Sequence, residues 1–148
     1  MRNNFSKVFL SLLLLLVASF SFAQNADVIQ FEKSTQKFMR VDEGHIITLI
    51  YRFTYTGDTD LQIIPPTVDC SCTQVILPVG NIAPKSTNTI KIKFDTADKI
   101  GWQERSVILQ FISNKKDSLS FEKKIVFKGA VKASKATKKA YKESQKKQ

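Results

Sequence analysis

The chain has 148 residues, of which 43% are hydrophobic and 24% are charged, and its net charge at pH 7 is +10. This length fits one ordinary domain and excludes a multidomain enzyme, and the hydrophobic fraction with 11 Phe excludes a wholly disordered chain. One histidine and two cysteines leave few residues for a metal site or a catalytic triad. We therefore expect a protein that is not an enzyme and needs no cofactor.

Residues 1–23 have the features of a secretory signal peptide. Arg2 and Lys7 give a positive start, an uncharged run of about 15 residues follows, and the small residues Ser21 and Ala23 predict cleavage after Ala23. The run is shorter than the roughly 20 residues that cross a bilayer. We expect export to the periplasm or the cell surface of a Gram-negative bacterium, or secretion, with no transmembrane segment in the mature chain.

Residues 24–131 alternate between apolar and polar side chains in short runs. Between His45 and Tyr55 the odd positions from Ile47 onward are all apolar or aromatic, which is typical of a half-buried strand. Similar runs predict strands near residues 28–31, 61–63, 73–77, 90–94, 107–111 and 119–127, and turn residues separate them, as at 114–117. About seven strands at this spacing predict an all-β fold, an immunoglobulin-like antiparallel β-sandwich, with a small up-and-down barrel as the alternative.

Residues 132–148 form a Lys-rich tail that carries a net charge of +6, whereas residues 24–131 carry only +2. Tyr141 is its one bulky apolar residue, so we predict a flexible tail; a helix with lysines along one side is the alternative. The charge would attract an anionic envelope surface, and export argues against nucleic acid as a partner. The lysines expected to make electrostatic contacts are Lys135, Lys138, Lys139, Lys142, Lys146 and Lys147.

Cys70 and Cys72 are the two cysteines of the chain. On an extended strand their Cα atoms would lie about 6.6 Å apart, close to the upper limit of about 6.8 Å for a disulfide. Three roles remain open: a structural role at a strand end, a reducible disulfide with a redox role, and a thiolate pair for a soft ion such as Cu(I). Only His45 offers an additional imidazole ligand.

Other candidate residues have ordinary structural explanations. The carboxylate pairs Asp58 with Asp60 and Asp95 with Asp98 lie in predicted loops, where acidic residues support turns, and each pair offers too few oxygens for Ca²⁺. Trp102 is either an exposed anchor for a partner or, as is more common in a sandwich, a residue of the core or its lid.

An ordered series of motifs begins with Asp69-Cys70-Ser71-Cys72-Thr73. It continues through Pro78, Ile82-Ala83-Pro84, Lys91-Ile92-Lys93-Phe94-Asp95-Thr96, Gly101 and Phe111-Ile112-Ser113-Asn114. Over about residues 31–131, the series resembles domain-of-unknown-function family 1573. The members of this family are small exported bacterial Ig-like domains similar to the Hydin type. The usual member has Cys-Gly-Cys-Thr, and Ser71 replaces that glycine here. The resemblance implies a fold and an envelope location, but no reaction.

These observations predict a non-enzymatic cell-envelope protein with a signal peptide (1–23), a sandwich domain (24–131) and a basic tail (132–148). Its expected partner is another envelope protein or protein complex, because the edge strands and end loops of a sandwich can bind other chains. The alternative is a thiol-disulfide or soft-metal-handling accessory that uses Cys70 and Cys72.

Overall fold

A computed structural model describes residues 27–113 and 120–146. The predicted signal peptide, the predicted turn at residues 114–117 and Lys147 lie outside the described residues. In the part that is described, no helix is long and apolar enough to cross a membrane.

The described chain forms two packed sheets followed by one helix. The elements are β1 (Ile29–Phe31), β2 (Thr35–Lys37), β3 (Val41–Asp42), β4 (Ile46–Tyr55), β5 (Leu61–Ile63), β6 (Thr67–Val68), β7 (Thr73–Ile76), β8 (Thr87–Asp95), β9 (Gly101–Ser113), β10 (Ser120–Lys132) and α1 (Lys135–Gln145). The first sheet has the strand order β1–β4–β8–β7, and the second has the order β2–β10–β9–β5, with β3 also paired to β10 and β6 to β9. The predicted all-β, immunoglobulin-like sandwich is therefore confirmed.

The structure contains three short strands that the alternation did not predict, namely β2, β3 and β6. Each has only two or three residues and at most one apolar side chain, so no alternation marks it in the sequence. Strands β2 and β3 also pair parallel to β10, so the second sheet is mixed instead of purely antiparallel. They arise because the chain leaves the first sheet after β1 and continues along the edge of the second.

The core consists of the alternate side chains that face each other between the sheets. Tyr51 and Phe53 of β4 are fully buried, and the Phe53 ring meets that of Phe111 from the second sheet at a centroid distance of 5.6 Å. The Tyr51 hydroxyl donates a 2.7 Å hydrogen bond to the Val126 carbonyl, which ties β4 to β10, and burial raises the pKa of this phenol. Such aromatic pairs and bridging hydrogen bonds fix how the two layers pack.

Two residues that interrupt the alternation lie at the margins of the core. Lys123, on the inward register of β10, forms an ion pair with Asp27 at the rim. Trp102 is 63% exposed, so its interpretation as a core or lid residue is wrong. It pairs with Ala130 across the strands, and its buried neighbour Gln103 takes the inward direction instead.

Candidate functional site

The cysteines lie in the turn that carries the chain from the second sheet to the first, between β6 and β7. The Thr73 amide donates a 3.1 Å hydrogen bond to the Cys70 carbonyl and closes this turn. The Cα atoms of Cys70 and Cys72 are 5.2 Å apart, and their sulfurs are joined in a disulfide. The turn shortens the distance that an extended strand would impose, so the pair lies well inside the usual range for a disulfide.

Hydrogen bonds fix the turn to both sheets. The Asp69 carboxylate accepts hydrogen bonds from the Ser106 amide at 2.6 Å and the Ser106 hydroxyl at 2.9 Å, which attaches the turn to β9. These bonds, that from the backbone amide first, lower the pKa of Asp69. On the other side the amide of Asp95, the last residue of β8, donates to the Cys72 carbonyl at 2.9 Å. The disulfide therefore closes a loop that other contacts already position.

The remaining polar candidates do not assemble around the cysteines. The His45 Nδ1 lies 2.9 Å from the Asp42 carbonyl oxygen, and within residues 27–113 and 120–146 no three His, Cys, Asp or Glu side chains are grouped as metal ligands would be. Asp58 forms a 3.1 Å ion pair with Lys85, and an Asp95 oxygen accepts from the Ala97 amide at 2.9 Å. Asp58 thus takes part in a loop contact, as predicted, whereas Asp95 is the last residue of β8 and its carboxylate contacts the turn that follows the strand.

Helix α1 begins at a well-formed cap that also contacts the sandwich. The Ser134 hydroxyl accepts a 3.0 Å hydrogen bond from the Thr137 amide, as a helix N-cap does. Glu43, in the turn between β3 and β4, accepts from the Thr137 hydroxyl at 2.6 Å and from the Ser134 amide at 3.3 Å. These bonds, led by that from Thr137, lower the pKa of Glu43. The carboxylate therefore holds the first turn of the helix against the sandwich.

The lysines of α1, together with Lys146 directly after its last residue, form a stripe along one side of the helix. Residues three, four, seven and eleven positions apart share one side of an α-helix, and Lys135, Lys138, Lys139, Lys142 and Lys146 have these spacings. We call these five residues the lysine stripe. Beside it, Thr137 and Tyr141 line a groove of about 330 Å³ together with Ile100. The Tyr141 side chain is still 67% exposed.

Strand β4 has one edge that is only partly paired. The Tyr55 amide donates a hydrogen bond to the Ser86 carbonyl, just before β8. Hydrogen-bonded positions alternate along an antiparallel pair of strands. The odd residues of β4 therefore direct their amides and carbonyls to β8, and the even residues direct theirs to the opposite edge. On that edge β1 covers only residues 53–55 of β4. Beyond it, the Glu32 amide donates to the Arg52 carbonyl and the Gln36 side chain donates to the Ile50 carbonyl at 2.7 Å.

The rest of this edge runs from Ile46 to Ile50. Among the described residues, no backbone group forms a hydrogen bond with the outward amides of Ile46, Thr48 and Ile50. We call these three residues the open edge of β4. Ile46 is 66% exposed and Ile50 is 53% exposed. A groove of about 530 Å³ adjoins the open edge at Ile50, and its lining comprises Glu32, Lys33, Thr35, Gln36, Lys37, Ile50 and Arg52.

The cysteines and the lysines stand out in the sequence, but the open edge does not. The edge exists because the chain changes sheets after β1, which no local pattern indicates. One local feature does point to an unusual surface on β4. Ile46 and Ile50 occupy outward positions that a half-buried strand usually gives to polar side chains.

The fold is similar to several solved structures at low sequence identity. A PapD-like domain of human CEP192 matches with a TM-score of 0.60 and 11% identity, over 73% of this chain and 87% of that domain. The periplasmic chaperone SfaE matches with a TM-score of 0.54 and 12% identity, over 70% of this chain and 57% of the chaperone. The VesB protease of Vibrio cholerae matches at 0.54 and 9%, over 70% of this chain and 32% of the protease. These similarities show the fold alone.

Sequence comparison places the chain in a family. No curated protein sequence matches it. The profile of a family described as protein of unknown function (DUF1573) matches residues 29–140, which span the sandwich and the first half of α1. The resemblance inferred from the motif series is thereby confirmed, and this chain belongs to the DUF1573 family.

Proposed function

We propose that this protein is a non-enzymatic, exported cell-envelope protein whose Ig-like body binds another envelope protein and whose helix α1 makes electrostatic contact with an anionic surface. The observation that carries the proposal is the lysine stripe on α1, which Glu43 attaches to the sandwich through Ser134 and Thr137. The attachment gives the stripe a defined position relative to the body. The fold likeness to SfaE, whose name describes a periplasmic chaperone, supports an exported binding module by analogy.

The environment of the stripe supports contact with a surface of anionic lipid. Near such a surface each lysine contributes about 1 kcal/mol at modest salt. Tyr141 and Ile100 lie next to the lysines and are exposed, and amphipathic rings such as that of tyrosine are favoured at the boundary between headgroups and water. The stripe thus combines a charge that attracts the surface with a small apolar contact.

Replacing Lys138 and Lys142 together by alanine should weaken binding to vesicles about thirtyfold, the effect of losing about 2 kcal/mol. The measurement is cosedimentation of the mature protein with vesicles of phosphatidylglycerol and phosphatidylethanolamine, against vesicles of phosphatidylcholine alone. The matched control replaces Lys91 and Lys93, which are exposed on β8. Equal weakening by both pairs, or equal binding of the original protein to both kinds of vesicle, would contradict a specific role for the stripe.

The second candidate function is thiol-disulfide exchange at Cys70 and Cys72. It is favoured by the observed disulfide and by the half-buried position of both residues, which leaves the pair partly accessible. An external dithiol would transfer two electrons and two protons, so that the pair becomes two thiols and the dithiol becomes a disulfide. In the bridged state the two sulfurs are bonded to each other, so only the reduced pair could bind a soft metal ion.

Replacing both cysteines by serine separates a structural role from a functional one. Closing so short a loop is worth about 1.5 kcal/mol in the chain-entropy relation, so urea unfolding should show a loss of this size with a retained cooperative transition. Under the preferred function, vesicle binding stays unchanged in the double variant. If the double variant stayed folded and bound vesicles but no longer bound the partner envelope protein, the second candidate would replace the first.

A further inference from the structure

We propose that the open edge of β4 (Ile46, Thr48 and Ile50) binds an extended acidic segment of another protein, which adds to the first sheet as a further strand. The proposal rests on the proposed function, because it names the place and the chemistry through which the body would bind its partner. It concerns a surface separate from the lysine stripe, so the two can be tested independently.

The backbone of the open edge provides the first argument. Its three residues direct their amides away from β8, and among residues 27–113 and 120–146 no backbone group pairs with these amides. A strand edge of this kind is a template for another extended chain. The Gln36 side chain already donates to the Ile50 carbonyl at 2.7 Å, which shows that this carbonyl is accessible to an incoming donor. An added strand would take over that bond from Gln36.

The adjoining groove provides the second argument, because its charge selects the occupant. Its lining contains three cationic side chains, those of Lys33, Lys37 and Arg52, against the single carboxylate of Glu32. The ion pair between Arg52 and Glu32, at 3.7 Å, balances one of these positive charges, so the lining keeps a net charge of +2. Carboxylates on an incoming segment would meet the ammonium groups of Lys33 and Lys37, which form no ion pair with any residue in 27–113 or 120–146.

The exposed isoleucines provide the third argument. Ile46 and Ile50 lie on the outer face of β4, on either side of Thr48. Side chains on the same face of an added strand would lie directly opposite these residues. An apolar residue at every second position of the segment would cover them. The favoured occupant is therefore an extended segment that alternates acidic and apolar residues. A second copy of this chain is disfavoured, because its own open edge would bring a second basic groove to the first.

The direct test uses two labelled ten-residue peptides, one alternating Val with Glu and the other alternating Val with Lys. Fluorescence anisotropy at low salt should show the Glu peptide binding at least about tenfold more tightly to the mature protein than the Lys peptide. Similar affinities for the two peptides, or no binding of the Glu peptide, would overturn the proposal. Self-association through this edge, seen as a dimer that the edge variants dissociate, would also overturn it.

Substitutions at Thr48 test the strand pairing itself. Thr48→Pro removes the amide hydrogen of residue 48, which points away from β8. An edge strand tolerates proline at such a position, so the hydrogen bonds between β4 and β8 should survive. We expect it to weaken binding of the Glu peptide at least about tenfold, while Thr48→Val, which keeps the amide, binds as the original protein does. Equal affinities of the two variants would contradict strand addition.

A charge-reversal pair keeps the test decisive if the proline variant fails to fold. Lys33→Glu with Lys37→Glu should weaken binding of the Glu peptide about tenfold or more, and the matched pair Lys139→Glu with Lys142→Glu on α1 should not. The same weakening in both pairs would mean attraction by net charge alone and would refute a site at β4. Failure of the peptide tests with intact vesicle binding would remove this inference and leave the surface contact of α1 in place.

Discussion

Phe127→Ala is expected to lower the free energy of unfolding by about 4 kcal/mol, the middle of the usual range for a buried phenylalanine. Phe127 is fully buried in β10, and its ring lies 5.1 Å from that of Phe94 in the opposite sheet. Truncation removes this contact between the layers and leaves a cavity that the rigid strands on both sides cannot fill.

Urea unfolding followed by circular dichroism measures this loss. Tyr141→Ala is the matched control, because the side chain is aromatic but 67% exposed, and it should change the free energy by less than about 0.5 kcal/mol. A loss below about 1 kcal/mol for Phe127→Ala would contradict a packed core at this position.

Gly129→Val is expected to destabilise the protein by about 3 kcal/mol through a different mechanism, overpacking against the backbone. A Cβ atom at Gly129 would lie 2.6 Å from the carbonyl oxygen of Phe38, so the chain just after β2 would have to move away from β10. The hydrogen bond from the Phe38 amide to the Lys128 carbonyl, now 2.9 Å, would be lost with that movement.

Thermal unfolding compares this variant with Ala130→Val, which places the same valine side chain one residue later, at a half-buried position opposite Trp102. The control should stay within about 1 kcal/mol of the original protein. Similar midpoints for the two variants would mean that the segment after β2 does not approach β10 as closely as the structure shows.

The alternation of side chains was sufficient to predict the sandwich, because burial of one face is a local property of each strand. The buried residues of β4 and β8, such as Tyr51 and Phe94, all lie at positions that the period of two selects. The same local reasoning gave the cysteines as a close pair. It assumed an extended backbone, whereas a turn held by the Thr73 amide brings their Cα atoms to 5.2 Å.

The features on which the proposed function depends are not local. Helix α1 is positioned by Glu43, which precedes Thr137 by 94 residues, so no window of sequence around the tail reveals this contact. The open edge of β4 depends on where the chain leaves the first sheet after β1, which places β2 beside β10 instead of along β4. Because partners far apart in sequence determine both features, composition could indicate the charge of the tail but not its placement.

Amide hydrogen exchange along β4 in the free protein tests most directly whether the body carries an open edge for binding. The amides of Ile47, Leu49 and Tyr51 face β8, and those of Ile46, Thr48 and Ile50 face the unpaired side. We predict that the second group exchanges at least about a hundredfold faster than the first, in strict alternation along the strand. Equal protection of the two groups would show that the edge is already occupied and would contradict binding at this site.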